Sequence, residues 1–324
     1  MRKQFTIPLE KIISIESLLA SWREFLRDKK TNKDVQLFQQ NLMKNICDLH
    51  NDLTSFSYIH GGYEFFPIND PKPRDIHKAE VIDRLLCHAL YRKLYPFFDG
   101  TFISESYSCR LRKGAHRALD QFTKFGHEMS KNNTRTCWVL KCDIRKFFAN
   151  IDHQILFEIL AQYITDENVA WLLVKVVTSF ESRAQAGLPL GNLTSQLFVN
   201  IYMNEFDQFM KHTIKAKCYI RYADDFVILS DDRNYLKELI PKISDFLDTR
   251  LKLSLHPDKV SIATLASGVD FLGWVHFPDH RVLRTVTKKR MFRNIKAKPD
   301  NDATRQSYLG LLMHGNAYKL TQML

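Results

Sequence analysis

Two places in the sequence put carboxylates where an apolar strand would otherwise continue. In Val139-Leu140-Lys141-Cys142-Asp143, an acid closes a run of β-prone residues. In CYIRYADDFVILS (218–230), Asp224 and Asp225 stand between two such runs. Successive residues of a strand point to opposite faces, so neighbouring acids at a hairpin tip reach one cleft only if the backbone bends there. A plain Asp-Asp turn joining two strands is one account of the pair. The other is phosphoryl transfer with two divalent ions held roughly 3.5–4 Å apart. Mg²⁺ takes hard oxygen ligands and keeps waters and substrate phosphates among them, so three carboxylates from two strands suffice.

The surrounding pattern predicts an α+β chain. Apolar spacing predicts amphipathic helices over 9–28 and 34–54. The aromatic and polar residues of SFSYIHGGYEFFPIND, centred on Gly61-Gly62, predict a β-hairpin. Pro71-Lys72-Pro73-Arg74 is a stiff extended basic segment. A helix is expected over 78–98, a buried strand at CWVLKCDI, and helices following FFANID and over 167–181. AGLPLGN reads as a turn before a helix at 193–213, and 233–250 as a further amphipathic helix. LSLHPDKVSIA and GVDFLGWVHF read as strands. The pattern divides the chain into 1–136, 137–280 with the helical stretch 167–213, and 281–324.

Charge narrows the partners. Lys plus Arg outnumber Asp plus Glu by 47 to 36, a surplus that favours a polyanion. Residues 281–298 hold eight Lys or Arg and no acid. Like charges crowded on a helix are destabilising, which favours a phosphate-contacting surface over an idle solvated face. The six cysteines form no CxxC pair and have no histidine at zinc-finger spacing, as expected of isolated thiols in a reducing cytoplasm. Glu10 and Lys11 interrupt the first apolar run, so no signal peptide is expected. No run of 18 apolar residues predicts a membrane span.

Tyr222-Ala223-Asp224-Asp225 resembles the Tyr-x-Asp-Asp box of reverse transcriptases, and Asp143 in DIRKFF resembles their first catalytic box. Further blocks follow in the family's order from about 65 to 320. The resemblance implies a right-hand polymerase with fingers, a palm with an antiparallel sheet and a short helical thumb. It also implies two Mg²⁺ ions, with Mn²⁺ able to substitute, on Asp143, Asp224, Asp225 and the backbone carbonyl of Ile144. Phe148 is similar to the aromatic that family members place under the sugar. PKPRDIHKAEVIDR resembles the fingers block that grips the triphosphate, implying Lys72, Arg74 and Arg84. SESYSCRLRKGAHRAL resembles the block along the template, implying Arg110, Arg112 and Lys113, with Tyr222 also expected at the template-primer. GLPLGNLTSQ resembles the block under the nascent base pair, implying Leu190, Gly191 and Gln196. Lys259 in LHPDKVSIA is similar to a lysine near the pyrophosphate and is the expected general acid. Phe271, Leu272, Gly273 and Trp274 resemble a primer-grip hairpin, with Gly273 allowing the tight bend, and Lys288, Lys289, Arg290 and Arg293 a duplex-clasping thumb.

Most family members have Gln-Gly and Ser-Pro where this chain has Leu190-Gly191 and Ser195-Gln196. That departure is similar to diversity-generating retroelement enzymes and to some defence-associated bacterial ones. The resemblance therefore implies dNTPs, a template RNA copied into a cDNA/RNA duplex, a dedicated non-coding RNA and an accessory protein oligomer or second subunit. A non-catalytic nucleic-acid-binding scaffold with the same fold is the rival reading.

Overall fold

The computed structural model describes residues 3–69, 73–298 and 301–324. Its elements begin with α1 (Leu9–Ile13), α2 (Ile15–Phe25), α3 (Lys33–Gln40), α4 (Leu42–Thr54), β1 (Tyr63–Ile68), β2 (Arg74–Ala79), α5 (Val81–Asp99) and α6 (Ala115–Met129). There follow β3 (Trp138–Asp143), α7 (His153–Ala161), α8 (Glu167–Thr178), α9 (Leu193–Gln208), β4 (Cys218–Tyr222), β5 (Asp225–Ser230) and α10 (Arg233–Leu251). The chain ends with β6 (Ser261–Thr264), β7 (Val269–Phe271), β8 (Trp274–His276), β9 (Arg281–Leu283), α11 (Thr285–Ala297), α12 (Asp302–Leu312) and α13 (Tyr318–Thr321). Contacts gather it into two compact units. One comprises Met1–Ile103, Lys146–Gln208 and Leu247–Leu253; the other comprises Ser104–Arg145, Phe209–Phe246 and Ser254–Leu324.

In the first unit, the helix expected over 9–28 is broken at Ser14. Its ψ of 149° leaves the helical region, and its Oγ accepts from the Ser17 amide at 3.2 Å to cap α2. The helix expected over 34–54 is likewise broken at Asn41. A hairpin does form from this region, but Gly61-Gly62 is not its turn. β1 pairs with β2 from Tyr63↔Ala79 to Ile68↔Arg74, so the reversal falls after Ile68. Gly61 serves α5 instead. Its amide donates to Asp83 Oδ2 at 3.1 Å, and the Tyr58 hydroxyl donates to Oδ1 at 2.5 Å, so the buried carboxylate has partners on both oxygens.

The second unit is built on a four-stranded antiparallel sheet ordered β4-β5-β3-β6. Val139, Ile220, Val227 and Leu229 from this sheet pack with Ala118, Leu119, Phe122 and Phe125 of α6, a helix the sequence reading left unassigned. The same core takes in Phe271 and Trp274 of the three-stranded sheet β7-β8-β9, Met291 of α11 and Leu312 of α12. Each large side chain so buried contributes about 1.5–3 kcal/mol. LSLHPDKVSIA is not one strand. Pro257 starts a 3₁₀ turn through Lys259, and pairing resumes only at Ser261.

Candidate active site

The sheet of the second unit brings the acids together at one end. Asp143, last residue of β3, lies directly opposite Asp225, first residue of β5. The Ile144 amide donates to the Asp224 carbonyl at 3.2 Å. That bond makes Asp143·Asp225 a non-hydrogen-bonded pair of the ladder, the arrangement in which facing side chains stand closest. Asp143 is buried, while Asp224 and Asp225 are half-buried. Like charges facing each other across a ladder are destabilising, so the sheet is not what rewards this placement.

The β4–β5 connection is two residues, Ala223 and Asp224. Ala223 has φ +57° and Asp224 does not share the positive sign, as in a type II′ turn, where glycine is usual at the first position. An alanine held there stores roughly 1–3 kcal/mol of strain. Arg221 holds it. This arginine is fully buried in β4, its Nη1 donates to the Ala223 carbonyl at 3.1 Å, and its Nη2 donates to Ser106 Oγ at 3.0 Å. The Ser106 strand segment is itself docked on β4, with the Arg221 amide donating to the Glu105 carbonyl and the Tyr107 amide to the Arg221 carbonyl, both at 3.0 Å. Sequence reading passed over Arg221; its signal was a charge inside an apolar strand run next to the acids.

Lys259 is delivered by the 3₁₀ turn. The His256 amide donates to the Asp143 carbonyl at 2.8 Å, and Lys259 Nζ lies 2.9 Å from Asp143 Oδ1. Asp143 thus draws a cation already, and the donors offered by Asp143, Asp224 and Asp225 are hard oxygens only. This chemistry fits Mg²⁺ or Mn²⁺. The expected convergence is nevertheless incomplete: among the described residues, no three acidic, histidine or cysteine side chains are gathered closely enough to hold a metal ion as they stand. Mutual repulsion opposes closure, and Asp143 is turned to the ammonium of Lys259. The Ile144 side chain is buried, leaving only its backbone to offer a ligand.

Other expected residues of this unit divide. Arg112 is exposed, with φ +58°. Arg110 instead donates to the Ser106 carbonyl at 3.0 Å, and Lys113 to the Ser104 carbonyl at 2.6 Å, so both brace their own loop. Tyr222 packs against the core, and burial raises its phenol above the usual range. The 271–274 hairpin is confirmed as a turn, Leu272 and Gly273 both having positive φ as in a type I′ connection. Phe271 and Trp274, however, are buried core residues, so of the four expected primer contacts only Leu272 and Gly273 keep exposed surface, and Leu272 also packs against this core. On α11, Lys288, Lys289 and Arg293 are exposed, Arg290 is half-buried, and Met291 is the core-facing residue.

In the first unit, Phe147 is core and its neighbour Phe148 is half-exposed, which resolves which of the two packs. Leu190 and Gly191 lie beside the hairpin: the His77 amide donates to the Leu190 carbonyl at 3.2 Å. Gly191 has φ +114°, and a Cβ there would meet Ile76 at 3.3 Å. Gln196 sits half-exposed in the first turn of α9. Arg74 is exposed at the start of β2. Arg84 corrects the expectation of a triphosphate ligand. Its guanidinium is ion-paired with Asp34 and lies over the Phe25 ring at 5.3 Å, so it is spent on packing the helices. Lys72 lies outside the described residues.

Residues 69–276 match the family described as reverse transcriptase (RNA-dependent DNA polymerase). Protein YkfC of Escherichia coli is 25% identical over 311 residues, covering 82% of this chain and 78% of that protein. The group II intron-encoded protein LtrA of Lactococcus lactis is 24% identical over 294 residues, covering 68% of this chain and 47% of LtrA. Apo telomerase from Candida tropicalis, truncated from its C-terminal domain, superposes with a TM-score of 0.51 at 13% identity, covering 72% of this chain and 58% of that one. The chain therefore spans about half the length of LtrA and of the telomerase chain, and the telomerase likeness carries the fold alone.

Proposed function

Because this chain belongs to the reverse transcriptase (RNA-dependent DNA polymerase) family, we propose that it extends a DNA strand by copying an RNA template, with Asp143, Asp224 and Asp225 as the residues that make the reaction possible. The observation that carries this is the directly opposed pair Asp143·Asp225, closed by the Asp224 turn at the end of the sheet. Two divalent ions held there would lower the pKa of a primer 3′-hydroxyl and neutralise the triphosphate. Arg221 keeps the turn in its strained form, which fixes the backbone that carries Asp224 and Asp225 before substrate arrives. Lys259, within reach of Asp143, gives a proton to the leaving pyrophosphate oxygen. Phe148 excludes a 2′-hydroxyl, and Arg74 meets the triphosphate. Lys288, Lys289 and Arg293 contact the duplex through its phosphates without reading sequence.

The finer role follows from Leu190. An aliphatic side chain beside the base pair offers no hydrogen bond for base discrimination, which supports a diversity-generating retroelement enzyme copying a dedicated RNA. An antiphage system with its own non-coding RNA is supported by the same residues; a variable lectin-type gene flanked by repeats, or a defence island, in the genomic neighbourhood separates the two.

Primer extension on an RNA template tests the activity. Wild-type protein with Mg²⁺ or Mn²⁺ extends the primer. Asp224→Asn loses on the order of 100-fold or more, and chelation stops the reaction. A wild-type protein inert even with the RNA that copurifies with it, or an Asp224→Asn variant as active as wild type, would favour the non-catalytic scaffold.

A further inference from the structure

We propose that His153 is a positioning residue that sets sugar selectivity by fixing Phe148, an inference that rests on the polymerase reading. Phe148 opens a 3₁₀ turn (Phe148–Asn150) that no strand pairing supports. It is sewn instead to the segment Ser182–Leu188 of the same unit. The Leu188 amide donates to the Phe148 carbonyl at 2.9 Å, and the Gly187 amide to the Ile151 carbonyl at 2.8 Å. Ser182 Oγ donates to the Ala149 carbonyl at 2.6 Å. The segment that donates these bonds is itself a turn: the Ser182 amide donates to the Ala186 carbonyl at 2.9 Å and the Ala186 amide to the Arg183 carbonyl at 3.0 Å. Gly187 has φ +109°, and a Cβ there would run into Ser182.

His153 closes this arrangement from behind. It is buried, its amide donates to the Gln185 carbonyl at 3.0 Å, and its ring Nε2 lies 2.7 Å from the Gly187 carbonyl. A carbonyl only accepts, so Nε2 carries the proton. Among the described residues the buried Nδ1 finds no hydrogen-bond partner, so the ring's polar hold there is the Nε2 bond. The two residues flanking the Gly187 carbonyl, Gly187 and Leu188, are the ones whose amides hold Phe148 and Ile151. Removing the ring N–H therefore loosens the peptide that fixes Phe148, whereas Asp143, Asp224 and Asp225 belong to the other unit. His153 contacts no substrate in this scheme and acts only through Phe148.

The test compares kcat/KM for a deoxynucleotide and the matching ribonucleotide on an RNA template with a DNA primer. Gln places its amide nitrogen where His places Nε2; Asn and Leu do not. His153→Leu and His153→Asn should each raise the ribonucleotide-to-deoxynucleotide ratio about tenfold, the size of one lost buried hydrogen bond. The deoxynucleotide change should fall on KM more than kcat. His153→Gln should return the ratio to near the wild-type value. Ratios unchanged in both Leu and Asn variants, with only a lowered melting temperature, would reduce His153 to a core residue and overturn the proposal. If the Leu variant does not fold, the Asn and Gln pair decides. Phe148→Ala run alongside separates the levels. An unchanged ratio there removes the role of Phe148 and this inference with it, whereas wild-type protein that extends no primer overturns the polymerase reading itself.

Discussion

Mild acid should loosen the second unit through one ring, His276. It lies in β8 with 2% of its surface exposed, its Nε2 has no hydrogen-bond partner among the described residues, and its ring centroid lies 4.3 Å from that of Phe122. Burial first, and the Arg281 charge second, push its pKa from 6.5 down to about 3. A group whose folded pKa is depressed in this sense binds its proton more readily when unfolded. The stability it permits is complete above about pH 6.5 and is lost as pH falls toward about 3. From pH 7 to pH 5 the unfolded chain takes up roughly 0.7 of a proton at this position and the folded chain almost none, which costs about 2 kcal/mol. His88, in the other unit, is pushed down to about 4 and titrates over an overlapping window, so the readout must be local. Amide exchange of β7 and β8 and the emission of buried Trp274 report on the right unit. Urea unfolding of wild type and His276→Leu at both pH values gives the double difference, in which every other titrating group cancels. If the Leu variant loses as much stability between pH 7 and pH 5 as wild type does, the ring does not carry the effect and the reasoning fails.

Other substitutions probe the site's scaffold. Arg221→Met should cost about 2–4 kcal/mol, the loss of charge-assisted hydrogen bonds to Ala223 and Ser106 being partly offset by relief from burying a cation. It should also slow primer extension on the order of 10- to 100-fold as the Ala223 turn slackens, and Arg221→Lys should not rescue it, since an ammonium lacks the fork; denaturant melts and extension rates check both. Gly187→Ala should cost about 2–5 kcal/mol, combining the positive φ and the clash with Ser182. A thermal midpoint within error of wild type would show that the 182–188 segment adapts freely.

Much of the fold was readable because it is written in local chemistry. The runs VLKCD, CYIRY and DFVILS are β-prone and largely apolar, and they form β3, β4 and β5. Leu272-Gly273 announced a tight hairpin and makes one. The errors came where a residue's use is decided by a distant partner. Gly61-Gly62 has the composition of a turn, yet Gly61 is claimed by Asp83, 22 positions later. Arg84 has the composition of a phosphate ligand, yet Asp34, 50 positions earlier, neutralises it. Phe271 and Trp274 read as substrate contacts and are core, because α6 supplies a face to pack on that their own segment does not reveal.

The sequence alone determined which atoms could do the chemistry, since carboxylates set into apolar strands are legible without any coordinates. Only the tertiary structure decided how they face one another. The antiparallel register puts Asp143 opposite Asp225, a buried arginine holds Ala223 in a conformation it would not adopt by itself, and a ring from α7 fixes a turn through a carbonyl 34 residues away. Register and long-range hydrogen bonds depend on how far-apart segments pack, and local composition carries no term for that.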